Sequence, residues 1–405
     1  MIGIISVLLL CLISSFLIKE IFRKFNVPMV VGQILAGIIL GIPIIKTILF
    51  THQITSIIEF LSHLGILFLL FLAGWEIDIR KIIRSAKDSV LISLFSAFVP
   101  FILGFSFIYF GFNSFITSQG FNPLIVATVF GIALSVTAEA TSVKVLMDLK
   151  VLNTKIGAIM IGAGAIDDII EVLGLSLVVL LASGSIQNLL LFPIQLFLFV
   201  ILCFIFFKLI SKILRYIEIK ETDEDLYLLT LLLVFGIATL SEYLQLGYLI
   251  GAIVAGFLLQ LSMIKFRKTK KVKTEEQIRE AIRLMTLAFL APFFFINIGL
   301  NFEFDTLFIN PLLLIGSTII AFIGKILGTL IIKPFSKLSL KQLYIIGWAM
   351  NSRGAVELII ALTSLQFGLI PLEIFSVLIF LSLITTITFP FVLQREIMKN
   401  PKIVK

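Results

Sequence analysis

KIGAIMIGAGAIDDIIEVLGLSLVVLLA, residues 155–182, places two adjacent aspartates in the middle of an apolar, helix-forming stretch. At 1.5 Å per residue, a position roughly a dozen residues from the charged start of such a stretch lies near the midplane of a bilayer. An ionised Asp there costs about 2.5–3.5 kcal/mol on insertion scales. Because apolar packing avoids that cost, Asp167 and Asp168 indicate a site that binds or relays a cation.

The composition is typical of a membrane protein. Of the 405 residues, 60% are hydrophobic and only 14% are charged, which leaves too few polar side chains to cover a water-soluble globule. The apolar stretches number about thirteen, and each approaches the roughly 20 residues that a helix needs to cross the hydrocarbon core. We therefore predict an all-α polytopic membrane protein. Its transmembrane segments are placed approximately at 1–18, 27–45, 56–75, 89–111, 122–148, 156–183, 187–214, 226–243, 245–264, 281–300, 310–332, 342–366 and 372–394.

The basic residues predict the orientation. Nearly all of the 32 Lys and Arg residues lie in alternate loops, and positively charged loops stay in the cytoplasm. With the N-terminus outside and the C-terminus inside, Lys46 lies in an outer loop, while Lys144, Lys325 and Arg353 lie within apolar segments. The net charge of +8 therefore reflects topology, and no nucleic-acid partner is expected. The first segment lacks the features of a cleaved signal and is predicted to be a retained helix.

An odd number of segments permits an inverted repeat, an architecture found in many secondary transporters. The first repeat would span residues 1–183 and the second 226–396, with a linking helix at 184–225 and a short cytoplasmic tail at 397–405. The chain would then form a single transmembrane transporter domain. The two cysteines show no metal-ligand spacing, and we expect neither a disulfide framework nor a zinc site, nucleotide or redox cofactor.

Polar interruptions occur at equivalent places in the two halves. Segments 5 and 12 contain SVTAEATS at 135–142 and NSRGA at 351–355. Ser, Thr and Asn side chains compete for backbone hydrogen bonds, and Gly is a poor helix former. Broken helices are therefore expected at both places, where unwound backbone can offer carbonyl oxygens to a cation.

The charged residues inside apolar segments form a mixed-sign set in which acids outnumber bases, so an anionic substrate is disfavoured. Asp167 and Asp168 point about 100° apart on a helix and suit different tasks. Lys325 stands beside Gly324, with Gly328 one turn on, which lets another helix approach, and we predict that it pairs with Asp167. The set comprises Glu139, Asp167, Asp168, Glu171, Lys325, Arg353 and Glu357.

Five stretches together resemble the monovalent cation:proton antiporter family, in particular its paired-aspartate sodium/proton antiporters. They are LGILFLLFLAGWEID at 64–78, ALSVTAEATSVKVLMDL at 133–149, GAIDDIIEVLGL at 164–175, GKILG at 324–328 and NSRGAVELIIA at 351–361. The resemblance implies thirteen helices in an inverted-repeat antiporter fold, two crossed broken helices in a mobile core domain, and a separate domain that forms a homodimer.

The resemblance also implies site residues. Asp168 is similar to the essential aspartate that binds the proton and the transported Na⁺, and Asp167 to its partner, with Lys325 as the lysine that pairs with Asp167. Thr141 and Ser142 match the broken-helix positions whose oxygens line the ion site.

Two further positions resemble a charged pair of the second broken helix, and one position departs from the family pattern. Arg353 and Glu357 resemble that pair, with a structural or pH-tuning role. Glu139 is an extra acid that could add negative charge, bind a second proton or pair with Arg353, and we favour the pairing.

The expected function is sodium/proton antiport, which exports Na⁺ or Li⁺ in exchange for H⁺ and moves net charge. Three alternatives stay open: potassium/proton antiport on the same scaffold, an organic-anion symporter, and a membrane sensor that transports nothing. The expected location is a prokaryotic cell membrane.

Overall fold

A computed structural model describes residues 3–24, 28–76, 87–138, 142, 146–147, 151, 154–182, 194–195, 197–206, 208–209, 212, 223–266 and 272–399. The helices are α1 Ile4–Arg23, α2 Met29–Leu40, α3 Pro43–Leu49, α4 His52–Glu76, α5 Lys87–Gly111, α6 Asn113–Ser118, α7 Pro123–Ser135, α8 Lys155–Ala182, α9 Phe197–Phe206, α10 Asp223–Tyr243, α11 Tyr248–Phe266, α12 Val272–Leu284, α13 Ala291–Leu300, α14 Phe304–Ile309, α15 Pro311–Ile331, α16 Leu340–Ala349, α17 Ala355–Gln366 and α18 Leu372–Lys399. A π-helical turn, Met285–Leu290, joins α12 to α13.

Most of the helices lie where the sequence predicted apolar segments, whereas α6, α14 and most of α12 lie between those segments. Much of the second half of the fifth segment and nearly half of the seventh, including its first seven residues, fall outside the described residues. Among the described helices, six are long and apolar enough to cross a membrane, or seven if α2 and α3, bent by 82°, form one span. Helix α8 is not one of the six because three acids lie in its middle. The all-helical, multi-pass architecture is confirmed, whereas the number thirteen stays a prediction.

The chain divides into two compact units. One unit comprises residues 1–49, 79–174 and 295–405, and the other comprises 50–78 and 175–294. The second unit contains α4 packed against α11, which in turn packs against α10. The first unit contains both interruptions that the sequence predicted. The boundaries of the two inverted repeats stay a prediction.

Local sequence signals set several helix starts in the first unit. Asn122 caps α7 by accepting the Leu124 N–H, and Pro123 occupies the first turn, where its missing N–H removes no helical bond. Ser339 and Gln342 form a reciprocal capping box at the start of α16. These caps fix the residues at which α7 and α16 begin.

The first unit has a continuous apolar core at one end. Buried side chains of α5, α8, α16 and α18, including Ile92, Ile159, Ile346 and Phe389, form one cluster. Close approach of α5 and α15 depends on small residues, because a Cβ on Gly324 would lie 2.8 Å from Cβ of Pro100. The glycine beside Lys325 therefore does admit a neighbouring helix, and that helix is α5.

Candidate functional site

The polar interruption of segment 5 ends α7 at Ser135. Val136 is extended, with φ −67° and ψ 147°, and residues 136–138 are not helical. The β-branched Val136 and Thr137 are weak helix formers, which favours a break here. The break leaves the last carbonyls of α7 and the following amides without helical partners.

The polar interruption of segment 12 separates α16 from α17. Residues 350–354 are not helical, and Gly354 lies so close to the first break that a Cβ on it would meet Cβ of Ala138 at 2.6 Å. The Ala138 amide donates to the Ser352 carbonyl at 2.9 Å, and the Ser352 hydroxyl donates to the Ala138 carbonyl at 2.8 Å. The two breaks predicted from the residues are therefore in contact, and they cross as the family resemblance implied.

Ser142, a predicted site residue, adds a second link between the breaks. Its hydroxyl donates to the Ala349 carbonyl at 2.5 Å and lies 2.7 Å from the Ser352 hydroxyl. Its oxygen thus lies at the crossing. The other predicted residues of this segment, Thr141 and Glu139, lie outside the described residues, as does Lys144.

Lys325 is fully buried, and its ammonium bonds to the first break. It donates to the Ser135 carbonyl, at the end of α7, and to the Thr137 hydroxyl at 2.7 Å. In the described part of the chain the ammonium bonds to these two oxygens rather than to an Asp167 oxygen, which corrects the direct contact predicted from sequence but not the electrostatic pairing. The reason is that carbonyls at a helix C-terminus lack helical donors and carry partial negative charge, so they compete for a nearby ammonium. Lys325 remains near enough to act electrostatically on Asp167.

Asp167 is 2% exposed, and its two carboxylate oxygens have different surroundings. Oδ1 accepts a hydrogen bond from the Ser93 hydroxyl of α5. Oδ2 is buried without a hydrogen-bond partner among the described residues. A buried carboxylate oxygen that lacks a donor is costly unless something else occupies the position, and a proton or a cation would do so.

Ser93 was missed by the sequence reasoning. A signal existed, since Ser89, Ser93 and Ser96 recur at helical spacing in the mainly apolar α5, and all three are buried. Such a polar stripe in a membrane helix marks the face that contacts other polar groups.

Asp168, by contrast, is half-buried. The two neighbouring aspartates therefore occupy different environments, as their angular separation on α8 requires. One turn further along α8, Glu171 is 8% exposed, and its Oε1 accepts the Thr137 N–H at 2.8 Å. Asp167 and Glu171 thus lie in the region where the first helix breaks.

Arg353 and Glu357 form a buried ion pair at 3.0 Å, with side chains 1% and 0% exposed. Arg353 also donates to the Ala133 carbonyl at 3.0 Å and to the Leu134 carbonyl at 3.3 Å. Together with Lys325, it gives three consecutive carbonyls at the end of α7 a cationic donor. The tuning role predicted for this pair stays a prediction.

Removal of the Lys325 ammonium is expected to destabilise the protein. Lys325→Ala would leave Asp167 without its nearby positive charge and the Ser135 carbonyl without its donor, and breaking a buried charged network costs about 3–5 kcal/mol. Thermal unfolding in detergent measures the effect. Lys46→Ala is the matched control, because Lys46 also donates to a helix-terminal carbonyl, that of Leu300 at 2.8 Å, from a half-buried position. Equal unfolding temperatures for the two variants would contradict the prediction.

The arrangement defines a class of protein. Crossed helix breaks inside a membrane domain, with carboxylates, hydroxyls and carbonyls near them, are the construction that secondary transporters use to bind ions near the bilayer midplane. The groups that could ligate an ion near these breaks are oxygens, which suit a hard cation such as Na⁺.

Residues 7–395 match the family model for the transmembrane sodium/hydrogen exchanger, so this chain belongs to the sodium/hydrogen exchanger family. A Na⁺/H⁺ antiporter of Enterococcus hirae is 28% identical over 396 residues, which cover 96% of this chain and 97% of that protein. A Na⁺/H⁺-K⁺ antiporter of Bacillus cereus, GerN, is 27% identical over 387 residues, which cover 95% of this chain and 94% of that protein.

The fold is similar to that of a solved antiporter. The sodium proton antiporter MjNhaP1 from Methanocaldococcus jannaschii superposes with a TM-score of 0.70, over 99% of this chain and 98% of that one. The sequence identity is 20%, so this likeness supports the architecture alone. The antiporter fold that the sequence analysis expected is thereby confirmed.

Proposed function

We propose that this protein is a secondary active antiporter that exports Na⁺ or Li⁺ in exchange for H⁺. The observation that carries the proposal is the pair of aspartates in α8 beside the crossed breaks, with Oδ2 of Asp167 buried and unpartnered among the described residues. Family membership and the names of the E. hirae and B. cereus relatives support the same exchange.

The charges favour a cation over an anion. Arg353 and Glu357 neutralise each other, so among the described groups near the breaks the carboxyl groups of Asp167 and Asp168 outnumber the single ammonium of Lys325. A surplus of carboxylates in a medium of low dielectric constant attracts protons or metal cations and repels anions. The organic-anion alternative is therefore disfavoured.

The coupling follows from competition for the same oxygens. We infer that Asp168 carries the transported Na⁺ or, in its place, a proton, with Asp167 and Ser142 contributing oxygens. Because the two occupants exclude each other, the site crosses the membrane loaded with one or the other, and the inward proton gradient drives Na⁺ out. A carboxylate pair can carry more protons than cations, so we expect the exchange to move net charge.

The setting of this cycle is also part of the proposal. The N-terminus lies outside and the C-terminus in the cytoplasm, as the basic loops indicate. The protein works as a homodimer in a prokaryotic cell membrane, contributes to sodium and pH homeostasis, and needs neither a nucleotide nor a redox cofactor.

Potassium/proton exchange is the second candidate, favoured by the name of the B. cereus relative, a Na⁺/H⁺-K⁺ antiporter. The two are separated by proteoliposomes that contain a pH-sensitive dye and an acidic interior. Addition of Na⁺ or Li⁺ is expected to dequench the dye, whereas K⁺ is not. Dequenching by K⁺ alone would assign potassium exchange, and a folded protein that responds to none of the three ions would overturn antiport.

A further inference from the structure

Glu171 is a buried acid of the site for which the proposed exchange has no task. We propose that Glu171 is a positioning residue, whose side chain holds the main chain of Thr137 so that the Thr137 hydroxyl stays bonded to the Lys325 ammonium beside the aspartate pair. The inference rests on the proposed Na⁺/H⁺ exchange and adds a residue to its binding machinery.

The first step of the argument concerns the Thr137 amide. In a continuous helix this N–H would donate to the Ala133 carbonyl, but α7 ends at Ser135, and the Ala133 carbonyl accepts from Arg353. Thr137 is 3% exposed, so water does not readily satisfy its amide. A buried N–H without an acceptor costs about 1–3 kcal/mol. Oε1 of Glu171, at 2.8 Å, supplies that acceptor.

The second step concerns the Thr137 side chain. Its hydroxyl accepts from the Lys325 ammonium at 2.7 Å, and that ammonium is the positive charge near Asp167. A threonine side chain has few χ1 rotamers, because two heavy atoms branch at Cβ. Fixing the Thr137 main chain therefore fixes the position of its hydroxyl. In this way Glu171 acts on the ion site through Thr137.

The third step separates hydrogen bonding from charge. Glutamine has the length of glutamate and keeps a carbonyl oxygen that can accept the Thr137 N–H, but it carries no charge. Methionine has a similar length and preserves packing, but its sulfur is a poor acceptor. A positioning role predicts that Glu171→Gln retains the KM for Na⁺, whereas Glu171→Met raises it. A role of the charge itself predicts that both variants raise KM equally.

The experiment measures KM for Na⁺ and the maximum rate of dye dequenching in proteoliposomes. For Glu171→Met we expect KM to rise at least about tenfold, with the maximum rate lowered less than about threefold, because a lost acceptor displaces an ion-site residue. For Glu171→Gln we expect KM within about threefold of the unsubstituted protein. The matched control is Glu373→Met, because Glu373 accepts a hydrogen bond from Gln119 at 3.0 Å away from the breaks, and its KM should not change.

A double-mutant cycle tests whether Glu171 acts through Thr137. Thr137→Val removes the hydroxyl and keeps the amide, so it should raise KM by itself, and adding Glu171→Met to it should raise KM little further. Additive effects, an unchanged KM for Glu171→Met, or equal loss in Glu171→Gln and Glu171→Met would each overturn the proposal. If Glu171→Met does not fold, Glu171→Gln and Thr137→Val still test it, since the first must retain KM and the second must raise it. Absence of Na⁺-dependent dequenching in the unsubstituted protein would instead overturn the proposed function.

Discussion

Asp168→Asn is expected to reduce sodium-dependent proton movement to the background of empty vesicles, a loss of at least about 100-fold for an essential intramembrane carboxylate. The amide has nearly the same shape as the carboxylate but neither binds a proton at working pH nor carries the charge that attracts Na⁺. Dye dequenching in proteoliposomes, with equal amounts of folded protein, measures the change.

The matched control for this variant is Asp305→Asn. It makes the same chemical change at an exposed acid near the start of α14, and exchange there should be unaffected. Normal exchange by Asp168→Asn would show that the ion-carrying carboxylate has been assigned wrongly, and Asp167→Asn would then be the next variant to examine.

Arg353→Met is expected to lower the free energy of unfolding by about 3–5 kcal/mol or more. The guanidinium is buried, pairs with Glu357 at 3.0 Å and donates to two carbonyls at the end of α7. Its removal leaves the Glu357 charge buried without a partner and opens the contact between the two helix breaks. Thermal unfolding followed in detergent measures the loss.

A second substitution tests the cause. If the unpaired Glu357 carboxylate accounts for much of the loss, then Arg353→Met with Glu357→Leu should recover part of it, because removing both partners avoids a buried lone charge. Arg395→Met, at an exposed position of α18, is the control and should unfold like the unsubstituted protein. A double variant no more stable than Arg353→Met would indicate that the bonds to the α7 carbonyls dominate.

The fold was largely predictable because each membrane-spanning helix is marked along the sequence by the hydropathy of consecutive residues. Apolar segments of sufficient length must be helices, since a backbone in hydrocarbon has to satisfy its own hydrogen bonds. The interruptions at 135–142 and 351–355 stood out for the same reason, as polar, weakly helical residues among apolar ones. Both coincide with breaks in the described part of the chain, at residues 136–138 and 350–354.

The site was predictable in its members but not in its bonds. Asp167, Lys325, Arg353 and Glu357 are all buried in the first unit, as intramembrane charges in a functional site should be. The expected Lys325–Asp167 ion pair, however, considered only charged side chains as partners for the buried ammonium. The sequence analysis expected the free carbonyls of a helix break to bind a transported cation, whereas one of them accepts a hydrogen bond from Lys325.

By itself, the sequence determined the membrane-embedded helical architecture, the places where two helices break, and the identity of the buried charges, because hydropathy and the cost of intramembrane charge act residue by residue. Only the tertiary structure decided which groups meet. It joined Lys325 to Ser135 and Thr137 across 190 and 188 positions, and Arg353 to Ala133 across 220. These partners are backbone or hydroxyl oxygens freed when a helix ends, and their availability depends on the crossing of two distant segments.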